Sequence, residues 1–382
     1  MTMEHLKTYF LLDPDVVFLN HGSFGACPRP VMDVYQEWQR RLERQPVAFI
    51  ARELSGLLQQ ARQVLGDYVN AAADDLVFVP NATFAINVIA RSLPLEPGDE
   101  VLATDHEYGA CDRIWRFICQ KRGAHYVRQP LPLPVQTPEE IVEQVWQGVT
   151  PRTRVIFLSH ITSATALCLP VAALCARARA AGILTVIDGA HAPGQMPLDL
   201  TALDADFYTG NCHKWLLSPK GAAFLYARPA CQRLLEPLVV SWGWESERPG
   251  ASPFLDHHQW WGTKDPAAYL SVPAAIQFQR DHNWPAVRAA CHRLGQETLR
   301  RLSQLTGLPS LYPPTATFFR QMFTAPLPAS DLETLQARLY QEYRVEVPIL
   351  RWQERTLLRV SLQGYNTHRD ADTLISALAA LL

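Results

Sequence analysis

Lys214 is the residue of this chain whose surroundings point most directly to chemistry. It stands in Asp206-Phe-Tyr-Thr-Gly-Asn-Cys-His-Lys-Trp215, beside His213 and ahead of the apolar run Trp215-Leu216-Leu217. A lysine against such a wall is partly desolvated, which lowers its pKa and makes its amine a usable nucleophile. The alternative is a lysine that snorkels from a helix start without reacting. Other groups bear on the choice. Asp188 opens Asp188-Gly-Ala-His191, and Asn81-Ala82-Thr83 precedes an apolar helical stretch. Tyr108 follows Thr104-Asp-His-Glu107, and Arg359 lies in Leu357-Leu-Arg-Val-Ser-Leu362. Each has a plainer reading: a helix N-cap at Asn81 or Thr83, a loop tyrosine, a surface ion pair at Arg359.

The elements that must position these groups follow from the hydrophobic pattern. Apolar runs at 75–79, 100–104, 125–128, 154–159, 183–187, 206–211 and 221–226 read as strands. Helical stretches at 84–91, 114–121 and 171–181 fall between them, and 34–65 reads as two helices broken near Pro46. This alternation predicts an α/β fold with an open, mostly parallel sheet, whose ligands bind at the carboxyl ends of the strands. Asn81, Tyr108, His160, Asp188 and Lys214 all fall at such ends. The turn after 75–79 offers free amides and the positive end of a helix, an arrangement suited to phosphate. An aromatic or imidazole just past 100–104, Tyr108 or His106, can stack on a flat ligand.

Beyond residue 228 the texture changes to aromatic, Gly-rich loop, with Trp242-Gly-Trp244 and Gln259-Trp-Trp-Gly-Thr-Lys-Asp-Pro266. One helix is expected at 267–282, then helices at 286–304, 331–342 and 369–381 with strands around 317–325 and 355–362. The expected division is an N-terminal segment, 1–20, packing with the small domain; a large domain, 21–265; and a smaller C-terminal α+β domain, 266–382.

Composition excludes several classes. The chain has 382 residues, 48% hydrophobic and 19% charged, with a formal net charge of −2. Without a long single-sign run, nothing argues for nucleic acid or an anionic membrane surface. Its apolar runs are too short to span a bilayer. The opening residues show no signal-peptide pattern, and eight cysteines are scattered without a C-x-x-C pair. Reduced thiols in a cytoplasmic protein are the expectation. No metal site is expected, because adjacent His257 and His258 point apart on regular structure.

A nucleophilic lysine, an aspartate at a neighbouring strand end, a phosphate cradle and a stacking ring together suit pyridoxal 5′-phosphate (PLP). The motifs Phe18-Leu-Asn-His-Gly-Ser-Phe-Gly25, Asn81-Ala-Thr-Phe-Ala-Ile-Asn87, Thr104–Gly109, Asp188–His191, Asn211-Cys-His-Lys-Trp215, Gly262-Thr263 and Arg359-Val-Ser-Leu-Gln-Gly-Tyr-Asn-Thr367 carry a resemblance over nearly the whole chain. The chain resembles the class V aminotransferase family of fold type I PLP enzymes, in its isopenicillin N epimerase-like branch. The resemblance implies that Lys214 forms the internal aldimine and carries the proton at the substrate α-carbon. It implies Asp188 at the pyridine nitrogen, and His191 near the ring oxygen with His160 or Thr162 as alternatives. Ala82, Thr83, Asn211 and His213 would hold the phosphate, and Tyr108 would stack on the ring, with His106 as alternative. Thr263 would reach the neighbouring subunit's phosphate in a homodimer. Arg359 would bind the substrate carboxylate, with Asn20 and His21 lining the substrate side. Tyr108 or His21 would be the second acid/base.

The expected reaction is at the α-carbon of a small-molecule amino acid, by an isopenicillin N epimerase-like enzyme. The alternatives are a cysteine desulfhydrase or C–S lyase, and an aminotransferase. A persulfide-forming desulfurase is disfavoured, because Val345–Arg355 contains no cysteine.

Overall fold

The computed structural model describes residues 3–250 and 252–382. Residues 1, 2 and 251, which the expected domain ranges 1–20 and 21–265 include, lie outside the described residues. The strands are β1 (Val17–Phe18), β2 (Leu76–Val79), β3 (Glu100–Thr104), β4 (His125–Gln129), β5 (Thr153–Ser159) and β6 (Leu184–Asp188). They continue as β7 (Phe207–Asn211), β8 (Ala223–Ala227), β9 (Met322–Leu327), β10 (Val345–Glu346), β11 (Ile349–Trp352) and β12 (Arg355–Ser361).

Seven strands form the central sheet in the order β2-β8-β7-β6-β5-β3-β4. The pairs from β7 through β4 are parallel. Strand β8 runs antiparallel to both β7 and β2, so β2 shares the direction of β7. The carboxyl ends of β2, β3, β5, β6 and β7 therefore lie along one edge. Helices cover the sheet, so its strands need no polar face. In β5 every residue but Arg154 is buried, which is why these strands read as continuous apolar runs.

Glycines shape the site edge at two places. Gly25 has φ +72, and a Cβ there would meet His213 O at 2.0 Å. Only glycine lets the turn after Asn20 lie against the His213-Lys214 backbone. Gly194 has φ +86, and a Cβ there would meet Trp215 O at 2.1 Å.

Strands β11, β12 and β9 form an antiparallel sheet in that order, backed by the helix Trp284–Thr306. The N-terminal stretch joins this part of the chain, with β1 parallel to β10 and Asn20 bridging to Ser361. Two expectations are corrected here. The helix expected at 267–282 is two, Ala267–Leu270 and Val272–Asp281, because Pro273 brings no N–H to the junction. The strand expected around 317–325 begins at Met322, because Thr315–Phe319 forms a hydrogen-bonded turn. Among the described residues, no helix is long and apolar enough to cross a membrane, and all eight cysteines are free.

Candidate active site

A cavity of about 370 Å³ opens at the carboxyl edge of the central sheet. That lies within the roughly 300–1,000 Å³ usual for ligand pockets. Lys214, Asp188, His191, Asn211, His213, Thr83, Ala82 and Tyr108 line it, together with Ser23, Phe24, Ser159 and Ser163.

Lys214 sits in the turn after β7. Burial, helped by the nearby Arg359 charge, pushes its amine down to about 8, against the opposing pull of Asp188. Its Nζ lies 3.3 Å from His191 Nε2, and His191 is held well below its ordinary pKa by burial and by the Lys214 charge. Asp188 ends β6. Its Oδ1 accepts from Ala190 N at 2.9 Å, and its Oδ2 lies 3.5 Å from Cys111 Sγ, which donates. Burial raises the Asp188 carboxyl despite the Lys214 charge.

The turn after β2 starts the helix Ala82–Ser92, capped by Asn81 Oδ1, which accepts from Phe84 N at 2.9 Å. The Ala82 amide is not free for an anion: it donates to Asn211 Oδ1 at 2.9 Å. Asn211 thus fixes the cradle, and its own oxygen is occupied in doing so. His213 Nδ1 donates to Ala222 O at 3.0 Å, and burial pushes its imidazole down to about 4.

Arg359 stands on β12, 5% exposed, behind Ser23 and Ser163 rather than on the cavity wall. Its Nη1 donates to Ser163 O at 2.8 Å and Ser163 Oγ at 3.1 Å, and its Nη2 donates to Ser23 Oγ at 2.9 Å. Its Nε is buried without a partner.

Several expected site residues lie elsewhere. His21 is fully buried beneath the lysine turn: Nε2 donates to Lys214 O at 3.1 Å, and Nδ1 accepts from Tyr365 OH at 2.9 Å. Both nitrogens are spent, and burial pushes the ring down to about 3, so His21 cannot serve as an acid/base on substrate. Asn20 lies outside the cavity lining, donating to Glu346 Oε1 at 3.0 Å. His106 is packed against Trp352 at 4.4 Å, with its nitrogens on Thr165 Oγ1 and Leu131 O, both at 2.8 Å. It stacks on nothing in the cavity, which leaves Tyr108, 47% exposed, as the ring at that strand end. His160 turns to Tyr208 OH at 2.9 Å and lines a different groove, beside Leu169 and Leu198. Thr162 is buried, its Oγ1 shared between Thr165 Oγ1 and Leu167 N. Thr263 is exposed on its loop, outside this cavity.

Other residues of the site escape sequence reasoning. Glu107 is buried beside the wall, accepting from Thr104 Oγ1 at 2.7 Å, Ser159 N at 2.8 Å and Ser159 Oγ at 2.6 Å. Burial and the Asp188 charge raise its carboxyl to about 7, against those hydrogen bonds. Ser23 and Glu107 lie inside stretches 18–25 and 104–109, but no residue type there marks which side chain turns inward.

The donor set fits PLP on this structure's own terms: a free-amine-prone lysine, a buried carboxylate two strand ends away from Tyr108, Thr83 at a helix start, and a buried arginine with one orphaned N–H.

The aminotransferase class-V family model matches residues 18–374. The chain is 38% identical to an isopenicillin N epimerase of Amycolatopsis lactamdurans, across 97% of this chain and 96% of that protein. It is 28% identical to an L-cysteine desulfhydrase of Arabidopsis thaliana, across 96% of this chain and 88% of that protein. Its fold is similar to that of the cysteine desulfurase CsdA of Escherichia coli, with TM-score 0.82 and 22% identity over 100% of this chain and 98% of the other. With the sheet, the cavity and these likenesses in agreement, the chain belongs to the class-V aminotransferase family, enzymes of fold type I whose cofactor is pyridoxal 5′-phosphate.

Proposed function

We propose that this enzyme moves protons at the α-carbon of an amino acid, as an isopenicillin N epimerase-like activity, with Lys214 as the reacting lysine. The observation that carries this is Lys214 itself, pushed down to about 8, in contact with His191 and lining the same cavity as Asp188 at the end of β6. Bound in this cavity, PLP supplies an electron sink for charge developing at the α-carbon. Lys214 takes and returns the α-proton. Asp188 would hold the ring nitrogen, His191 the ring oxygen, and Thr83 with His213 the phosphate, in a cradle that Asn211 orders through Ala82. Arg359 would grip the substrate carboxylate with its guanidinium fork, exchanging the Ser23 and Ser163 contacts it makes here. Tyr108 is the second acid/base. It lies at the end of β3, with β5 and β6 between it and β7, so it meets the cavity from another side than Lys214.

A second reading, C–S lyase, is favoured by the likeness to the plant desulfhydrase; transamination ranks third. Incubation with L-cysteine, with other amino acids in deuterium oxide, and with an amino donor plus 2-oxoglutarate separates them. Solvent deuterium at the α-carbon with loss of optical activity is expected. Sulfide plus pyruvate would move the assignment to lyase, and glutamate to transaminase. Borohydride treatment of the holoenzyme followed by peptide mapping should place the cofactor adduct on Lys214; an adduct on another lysine sinks the site assignment.

A homodimer, with Thr263 reaching the neighbouring subunit's phosphate, belongs to the same reading. Its support is the exposed apolar loop carrying Val240, 66% exposed, and Trp242, 86% exposed, and the open flank at Phe24. Sedimentation at micromolar concentration should give a dimer, and Thr263→Ala should weaken cofactor retention without changing its mass; a monomer with full activity would end this part of the reading. Free thiols throughout support a cytoplasmic setting.

A further inference from the structure

Two ring hydrogen bonds meet on His191 and together decide where its proton sits. Trp215 Nε1 donates to His191 Nδ1 at 3.2 Å, with both side chains buried. An indole N–H only donates, so Nδ1 must present its lone pair. An imidazolium there would set N–H against N–H, and a neutral ring with an accepting Nδ1 carries its proton on Nε2. That Nε2 lies 3.3 Å from Lys214 Nζ. An ammonium has donors and no acceptor, so only the free amine completes this contact.

The surrounding structure holds both rings in place. Gln195 Nε2 donates to His191 O at 2.7 Å, and Gln279 Nε2 donates to Trp215 O at 2.8 Å. The His21 ring packs against Trp215 at 4.9 Å. The charged or titratable groups facing Lys214 are Arg359, Asp188 and Cys111 besides His191; those facing His191 are Lys214, Arg359, His21 and His213. Arg359 disfavours the ammonium form, and Asp188 favours it.

We propose that Trp215 is a positioning residue that locks His191 as its Nε2–H tautomer, so that in the cofactor-free chain His191 donates to Lys214 and favours its free-amine form. This rests on Lys214 being the reacting lysine, as proposed above. It gives the residue after the lysine a role beyond filling the core, and makes His191 a donor to Lys214 when no cofactor is bound.

The test is ¹⁵N-histidine NMR of the full-length holoenzyme and of the same chain stripped of cofactor, with His191 assigned by His191→Gln. Expected is a proton-bearing Nε2 and a bare Nδ1 on His191. In Trp215→Phe, which keeps an aromatic ring and loses the N–H, the signals should move toward the Nδ1–H form. In parallel, competitive acetylation of the stripped chain, read by mass spectrometry, gives the titration midpoint of Lys214. It should lie near 8 in the native chain. It should rise in Trp215→Phe by about one unit, which is about tenfold less labelling at neutral pH. A proton on Nδ1 or on both nitrogens in the native chain overturns the proposal, as does an unmoved midpoint in a folded Trp215→Phe variant. If that variant does not fold, the native tautomer alone decides. The adduct mapping described above tests the identity of the lysine separately, and its failure would leave the tautomer measurement readable.

Discussion

Glu107 and Tyr108 are neighbours on one turn, yet the structure treats them oppositely. Glu107 is 8% exposed and accepts three hydrogen bonds; Tyr108 is 47% exposed and has none of that support. The contrast extends across the site. The wall formed by the ends of β6 and β7 is buried and cross-linked, with His191 in contact with both Lys214 and Trp215, and Asp188 with Cys111. The mouth, Tyr108 with the 72% exposed Phe24, is open. The wall has one arrangement and suits a step common to all the candidate reactions, proton removal at the α-carbon. The mouth is free to differ and suits the step by which they diverge.

Breaking the wall should therefore cost most. Lys214→Ala should lower every turnover, whatever the substrate, by about 10⁴-fold or more, the upper range for a positioned acid/base. Steady-state rates and α-deuterium exchange should fall together. Retained exchange would mean that the wall is not where the proton moves. Asp188→Asn should cost about 10²–10³-fold, the range for one preplaced electrostatic group, with Lys214 still forming the borohydride-fixed adduct. Arg359→Lys keeps the charge but loses the planar fork. It should raise KM by about 10-fold or more with a smaller change in kcat, because hydrogen bonds to a carboxylate are worth roughly 1.5–3 kcal/mol. An unchanged KM would remove Arg359 from substrate binding.

The mouth should respond differently. Tyr108→Phe should slow racemisation by about 10-fold or more while α-deuterium exchange stays within a few-fold, so the two rates part company. Equal loss of both would place Tyr108 with the wall and erase the contrast.

The smallest effect is on stability. The Glu107 carboxyl is raised from its ordinary 4.5 to about 7, so the folded state holds its proton more tightly than the unfolded chain. Its favourable contribution is fully present below about pH 4.5 and is lost as pH rises through about 7. In Glu107→Gln that loss should be absent. The Tm of the native chain relative to the variant should therefore fall between pH 5 and pH 8. A constant difference across that window would show that Glu107 does not titrate there.

Particular residues show how far the sequence was legible. Continuous apolar runs marked the buried strands, and β3 was read at its observed bounds, because strands covered on both faces must be apolar throughout. Lys214, Asp188 and the Asn81-Ala82-Thr83 turn were legible because each follows such a run directly. The histidines were not. His21, His106 and His160 carry the right chemistry at the right distance along the chain, but each ring turns inward to a hydroxyl or carbonyl. Side-chain direction past a strand end depends on what packs there, and strand pattern carries no information about that.

The sequence by itself determined the sheet, the carboxyl edge where a ligand binds, and a lysine and an aspartate placed one βα unit apart on it. Those depend on local hydrophobic period and on the order of elements along the chain. Only the tertiary structure decided that the Ala82 amide belongs to Asn211, that Arg359 stands behind two serines, and that Trp215 binds His191. Residues 82 and 211, or 23 and 359, are far apart in the chain, and hydrogen bonds between them exist only after folding has brought their elements together.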